Sequence, residues 1–251
     1  MPLKIGLLTI ATGRYLELLE ALAASARRFF FARHDVTHFV FSDAAAIDPH
    51  AVRISVAHED WPLVTLKRYH YFAQHAERLC GMDYLFYVDC DMRFVAPCGE
   101  EILPGISERL VGVEHPGYYR RPRWFGARLF QRRPRYPFER NPRSLACVDD
   151  PSYRLYCAGG FNGGHADSFL TMSRSLRDAV EHDLARGIVA VWHDESHLNR
   201  YFYVQKPKVL PPSYCYPEEG YANLRHLEPV ILALAKDHGR LRGMPGPASA
   251  A

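Results

Sequence analysis

No apolar run near the N-terminus is long enough to cross a bilayer, and Met1-Pro-Leu-Lys-Ile-Gly-Leu-Leu-Thr-Ile10 lacks the basic start and small-residue cleavage site of a secretory signal. The six cysteines include no C-x-x-C pair, and the chain is large enough to build a core without disulfide staples. They read as free thiols in a reducing compartment, so the expected location is cytoplasmic, peripheral to a membrane surface at most. Charge of one sign is not in marked excess, with a formal net charge of +3. Together with the lack of any RNA- or DNA-binding motif, this argues against a nucleic-acid partner. There is no internal repeat and no low-complexity tract. The oligomeric state is left open, a dimer included.

What is present suits one α/β domain of 251 residues, 48% of them hydrophobic. Lys4 to Ala11 is a β-branched and leucine-rich strand ending in a turn at Thr12-Gly13, followed by helical spacing at Tyr15, Leu18, Leu19, Leu22 and Ala23. His38 to Asp43 reads as a second strand, Thr65 through Leu79 as a helix, and Tyr84 to Val88 as a third strand ending in Asp89-Cys90-Asp91. Strands alternating with helices predict a mostly parallel sheet covered on both faces, with ligands gathered beyond the carboxyl ends of its strands. The arginine-, proline- and aromatic-rich stretch from Arg120 to Arg143 reads as a long loop or lid, and the end after Met244 as disordered.

Three segments carry possible chemistry. Asp89 and Asp91 are two residues apart at a strand end, where i and i+2 point the same way and aim two hard oxygens at one cation. Val191 to Asn199 packs two carboxylates, two imidazoles, an indole and an amide into a short stretch. If it is helical, His193 and His197 share a face with zinc-pair spacing, which gives the rival reading of a metallohydrolase. Tyr156 to Gly164 contains four glycines without the spacing of a Walker loop or a dinucleotide fingerprint, and reads either as a tight turn or as backbone that approaches a ligand.

Together with Ala11 to Tyr15, Trp61-Pro62, His115-Pro-Gly-Tyr118 and Gly187 to Asn199, these segments resemble glycosyltransferase family 6, the group containing the histo-blood-group A and B transferases and the α-1,3-galactosyltransferase. The resemblance runs in one order from about Ile5 to Arg242. It implies a GT-A fold over residues 1–243, with 1–92 mainly the nucleotide-binding half and 93–243 mainly the acceptor and catalytic half. It further implies a UDP-sugar donor, a glycan acceptor, a Mn2+ or Mg2+ cofactor, and α-1,3 transfer with retention.

Carried over by residue, the resemblance places Ile10, Ala11 and Tyr15 around uracil and ribose. Asp89 and Asp91 go on the metal and donor, and Arg68 and Asp194 on the donor sugar. Glu195 lies beneath the anomeric carbon, where it serves either as a covalent nucleophile or as a stabiliser of front-face attack, and it also faces the acceptor. His115 and Trp192 match acceptor-contacting positions. Lys236 and Arg242 match a tail that clamps the diphosphate. Ala158, Gly159 and Gly160 match the donor-sugar wall, where the small residues Ala158 and Gly160 favour UDP-N-acetylgalactosamine over UDP-galactose. The resemblance also implies an acceptor ending in galactose, fucosylated or plain.

Two departures stand out. Animal members carry an aspartate after a Tyr-Leu-Trp or Tyr-Cys-Trp run where this chain reads Tyr214-Cys-Tyr-Pro217 and Glu218. The animal members' membrane anchor has no counterpart here, as in short microbial members, many of which replace both aspartates of the acidic triplet with asparagine. Retention of both aspartates here predicts metal dependence, and the filled metal, clamp and carboxylate positions disfavour a non-catalytic glycan-binding protein on the same fold.

Overall fold

The computed structural model describes residues 2–120 and 135–241. The lid expectation for 121–134, the clamp residue Arg242 and the tail after Met244 lie outside the described residues.

Along the chain run β1 (Lys4–Ile10), α1 (Leu16–Phe29), β2 (Asp35–Ser42), β3 (Val52–Ser55), α2 (Leu63–Leu66), α3 (Arg68–Gln74), α4 (Ala76–Leu79), β4 (Tyr84–Val88), β5 (Met92–Phe94), β6 (Leu110–Glu114), β7 (Cys157–His165), α5 (Ala166–Leu184), α6 (His193–Gln205), β8 (Lys208–Leu210), β9 (Tyr216–Pro217), β10 (Ile231–Ala233) and α7 (His238–Leu241). Seven strands form the main sheet in the order β3-β2-β1-β4-β7-β6-β8, and β5, β10 and β9 form a small second sheet. The first four strands in that order are parallel, as the alternation of strand and helix predicts, whereas β7 runs antiparallel to both of its neighbours.

Strand alternation explains the two-sided core. In β4, Phe86 and Val88 pack on one face with Ile5, Leu7, Phe30 and Phe161. Leu85 and Tyr87 pack on the other with Leu8, Phe41, Phe72 and Phe169. The helices supply one apolar stripe each, Leu19, Leu22, Ala23 and Ala26 in α1 and Phe169, Leu170, Leu176 and Val180 in α5. The six cysteines are free thiols. Among the described residues, no helix is long and apolar enough to cross a membrane.

Two local expectations are corrected. The helix read from Thr65 to Leu79 is three short helices, interrupted where Lys67 (φ −92°, ψ 13°) and His75 (φ −107°, ψ 23°) leave helical geometry. Arg68, Tyr69, Tyr71 and Phe72 are all buried. That arc is wider than the stripe one straight amphipathic helix turns inward, and the breaks accommodate it. The glycine-rich segment, read either as a tight turn or as backbone that approaches a ligand, is not a turn but the buried strand β7. Its glycines answer to crowding within the sheet: a Cβ on Gly163 would lie 2.3 Å from the Phe86 ring and 2.5 Å from the Leu85 carbonyl oxygen.

Candidate active site

A cavity of about 620 Å³ opens beyond the C-terminal ends of β1 and β4, where a parallel α/β sheet places its ligands. Ile10 and Tyr15 line it from the end of β1, Asp89 and Asp91 from the end of β4, Gly159 and Gly160 from β7, Asp194 and Glu195 from α6, and Lys236 from the C-terminal tail. Residues scattered from position 10 to position 236 are thus brought to one cavity.

Arg68, the first residue of α3, organises the interior. Its Nη1 donates to the Gly159 carbonyl at 2.7 Å and lies 3.3 Å from Asp194 Oδ2, and its Nη2 donates to Asp89 Oδ1 at 3.1 Å. Both Arg68 and Asp194 are buried, so removing Arg68 would leave the Asp194 carboxylate without its ion-pair partner, at a cost of about 3–5 kcal/mol. Burial pushes the Asp194 carboxyl up to about 6, against the opposing pull of the Arg68 charge.

Glu195 Oε2 accepts the Gly159 N–H at 2.7 Å. Burial pushes its carboxyl up to about 7, opposed by the Gly159 N–H and the Tyr156 hydroxyl and reinforced by the nearby Asp194 charge. The helix that presents both carboxylates starts under strain: His193 is in the left-handed region at φ 50°, with its ring edge-on to Trp61 at 5.1 Å. At the end of β4, the Tyr87 hydroxyl donates to Asp89 Oδ1 and the Lys236 ammonium pairs with Asp91 Oδ2.

The remaining residues from the sequence reading divide between wall and support. Trp192 lines the cavity and is half exposed. Ala11 packs behind the wall with Leu19 and Val40, and Ala158 packs in the core with Phe161 and Val113. His115 is outside the cavity lining; its Nδ1 accepts the Gly117 N–H at 3.0 Å, and burial lowers the ring to about 4. The proposed zinc pair does not converge. His193 lines the cavity, whereas His197 is buried with its Nε2 3.7 Å from Asp183 Oδ2. Among the described residues no group of three His, Cys, Asp or Glu side chains is placed to hold a metal by itself.

Sequence reasoning missed Tyr87, Tyr156, His58 and Leu241. Tyr87 was accessible through the same i, i+2 rule that paired Asp89 with Asp91. His58, whose Nδ1 lies 3.0 Å from Thr12 Oγ1, comes from a loop without periodicity and carries no such signal.

The sequence profile of Glycosyltransferase family 6 matches residues 1–243. The chain belongs to glycosyltransferase family 6. Within that family it is similar to human globoside α-1,3-N-acetylgalactosaminyltransferase 1, with 33% identity over 230 residues, 87% of this chain and 62% of the relative. It therefore spans a little under two thirds of that protein's length. Rat histo-blood group ABO system transferase 1 is 33% identical over 252 residues, 95% of this chain and 68% of its own. The O-antigen biosynthesis glycosyltransferase WbnI of Escherichia coli is 28% identical over 219 residues, 86% of this chain and 88% of its own. The α/β architecture with its mostly parallel central sheet agrees with the GT-A fold that membership implies.

Proposed function

We propose that this family 6 chain transfers N-acetylgalactosamine, in preference to galactose, from a UDP-sugar to a galactose-terminated glycan in α-1,3 linkage with retention. The observation that carries this reading is that one cavity is lined both by the acidic pair Asp89 and Asp91 and by the Glu195 carboxylate. Departure of UDP builds negative charge at the diphosphate and positive charge at the anomeric carbon, and a site for this reaction needs groups that answer to each.

Asp89 and Asp91 offer hard oxygen donors on one wall, and Asp89 Oδ2 faces a stretch of β7 backbone that carries no side chain at Gly160. That donor set fits a divalent ion such as Mn2+ or Mg2+ whose coordination is completed by substrate phosphates. Such an ion, when bound, would neutralise charge on the leaving diphosphate. Lys236 is positioned to add positive charge at the same place. Arg68 and Asp194 are poised to orient the sugar hydroxyls, and Glu195 meets the cationic character that develops at the anomeric carbon. Trp192, exposed at the rim, offers an aromatic face to the acceptor.

The donor preference rests on Gly160. Gly160 lines the cavity with backbone alone, so no side chain of its own crowds an acetamido group, and a roomy pocket loses only some packing with galactose. Incubation with equal amounts of UDP-N-acetylgalactosamine and UDP-galactose and a galactose-terminated acceptor tests the whole reading. Release of UDP with an α-1,3-linked N-acetylgalactosaminyl product is expected. Release with mainly galactosylated product would overturn the donor assignment, and no release from either donor would overturn the reaction.

A further inference from the structure

We propose that Tyr87 is a positioning residue of this site: its hydroxyl fixes which oxygen of Asp89 faces the donor, and its ring sets the plane of the Arg68 guanidinium. The inference rests on the reading of the cavity as the donor site.

Tyr87 is the penultimate residue of β4, and Asp89 follows it by two positions, so both side chains leave the backbone on the same side. The tyrosine is buried, 2% exposed, and a buried phenol requires a hydrogen-bond partner. Its partner is Asp89 Oδ1, the same oxygen that accepts Arg68 Nη2 at 3.1 Å. The terminal torsion of an aspartate is soft, and one donor alone leaves it free to swing. Two donors converging on one oxygen remove that freedom and leave Oδ2 as the oxygen beside Gly160, where a Cβ would lie 3.0 Å away.

The ring has a second task. The Arg68 guanidinium lies 4.3 Å from the Tyr87 ring centroid, and Phe72 backs that ring at 5.5 Å between centroids. Held in this plane, Arg68 reaches Gly159 of β7, Asp194 of α6 and Asp89 at the same time. One aromatic side chain therefore sets the geometry of two neighbouring polar groups of the donor pocket, Asp89 and Arg68, while itself remaining outside the reacting atoms.

Tyr87→Phe removes only the hydroxyl and keeps the stacked ring. UDP binding measured by titration calorimetry in the presence of Mn2+ should weaken about tenfold, the scale of one lost hydrogen bond to a charged group. In an Asp89→Ala background the same substitution should change UDP affinity less than twofold, because the side chain it orients is gone. Equal losses in both backgrounds would mark general loosening and overturn the assignment, as would unchanged affinity in the single variant. If the unaltered chain bound no UDP, the reading of the cavity would fall. The positioning role would then be decided by crystal structures of the two unliganded proteins: an Asp89 carboxylate rotated in the Tyr87→Phe chain supports it, and one held in the same orientation overturns it.

Discussion

The Lys236 ammonium rests on the Asp91 carboxylate, joining the C-terminal tail to a strand end 145 residues earlier in the chain. The tail is tied down twice more: Arg240 Nη2 pairs with Glu17 at 2.8 Å, and Arg14 Nη1 donates to the Arg240 carbonyl at 2.8 Å. Leu241 is buried against the cavity. This segment lies against Asp91 at the edge of the cavity.

Deleting the chain from Lys236 onward is accordingly expected to weaken UDP-sugar use and to raise the share of donor lost to hydrolysis. Total UDP release compared with glycosylated product gives the ratio directly. An unchanged ratio would show that the tail does not shield the site.

Asp91→Asn keeps the shape of the side chain and removes its charge. A loss of about a hundredfold or more in kcat is expected, with no rescue by added Mn2+, because stabilisation of the leaving group goes with the carboxylate. Full activity of the unaltered chain in EDTA would contradict metal dependence.

The raised carboxyl of Glu195 has a consequence for pH. In the free enzyme, kcat/KM should rise with pH to a plateau above about 7, since the ionised form is the one that meets a cationic sugar. For stability the sign is opposite. The folded value of about 7 lies above the ordinary 4.5, so the folded chain holds this proton more tightly than the unfolded one. The stabilisation is full below about pH 4.5 and is lost as pH rises to about 7. Glu195→Gln should therefore gain thermal stability relative to the parent as pH is raised from 4.5 to 8. Melting curves of the two proteins that shift in parallel across this range would show that burial does not perturb Glu195.

Much of this arrangement was legible before any coordinates. The apolar strands at Lys4 and Tyr84 announce themselves by continuous burial, and their ends mark the ligand-binding edge without further information. Asp89 with Asp91 follows from spacing, and the density of Val191 to Asn199 marks that segment, within which the resemblance picks out Asp194 and Glu195. The direction of β7 was not legible, because a glycine-rich segment has no side-chain pattern to read and its strand character comes from neighbours β4 and β6. Arg68 was found only through resemblance, since a lone arginine beside a broken helix gives no periodic signal. The burial of Tyr156 depends on long-range packing that local spacing does not encode.

Gly160 sets a sterically specific prediction about the donor. A Cβ there would come within 2.3 Å of the Met92 methyl and 3.0 Å of Asp89 Oδ2. Gly160→Ala is expected to shift donor preference toward UDP-galactose with a lower kcat, as the Met92 side chain is displaced and the pocket narrows. Ala158 is a poor companion substitution, because its side chain packs in the core and a larger residue would cost about 1–3 kcal/mol through overpacking. Competition between the two donors measures the shift, and an unchanged product ratio would remove Gly160 from donor selection.

The account turns on Glu195 acting when the sugar becomes cationic and not when the nucleotide binds. Its most direct test is a paired measurement on Glu195→Gln: UDP affinity by titration calorimetry and sugar transfer by product formation. The account predicts UDP affinity within a few-fold of the parent and transfer reduced almost to nothing. Comparable losses in binding and turnover, or transfer retained at the parental rate, would contradict it.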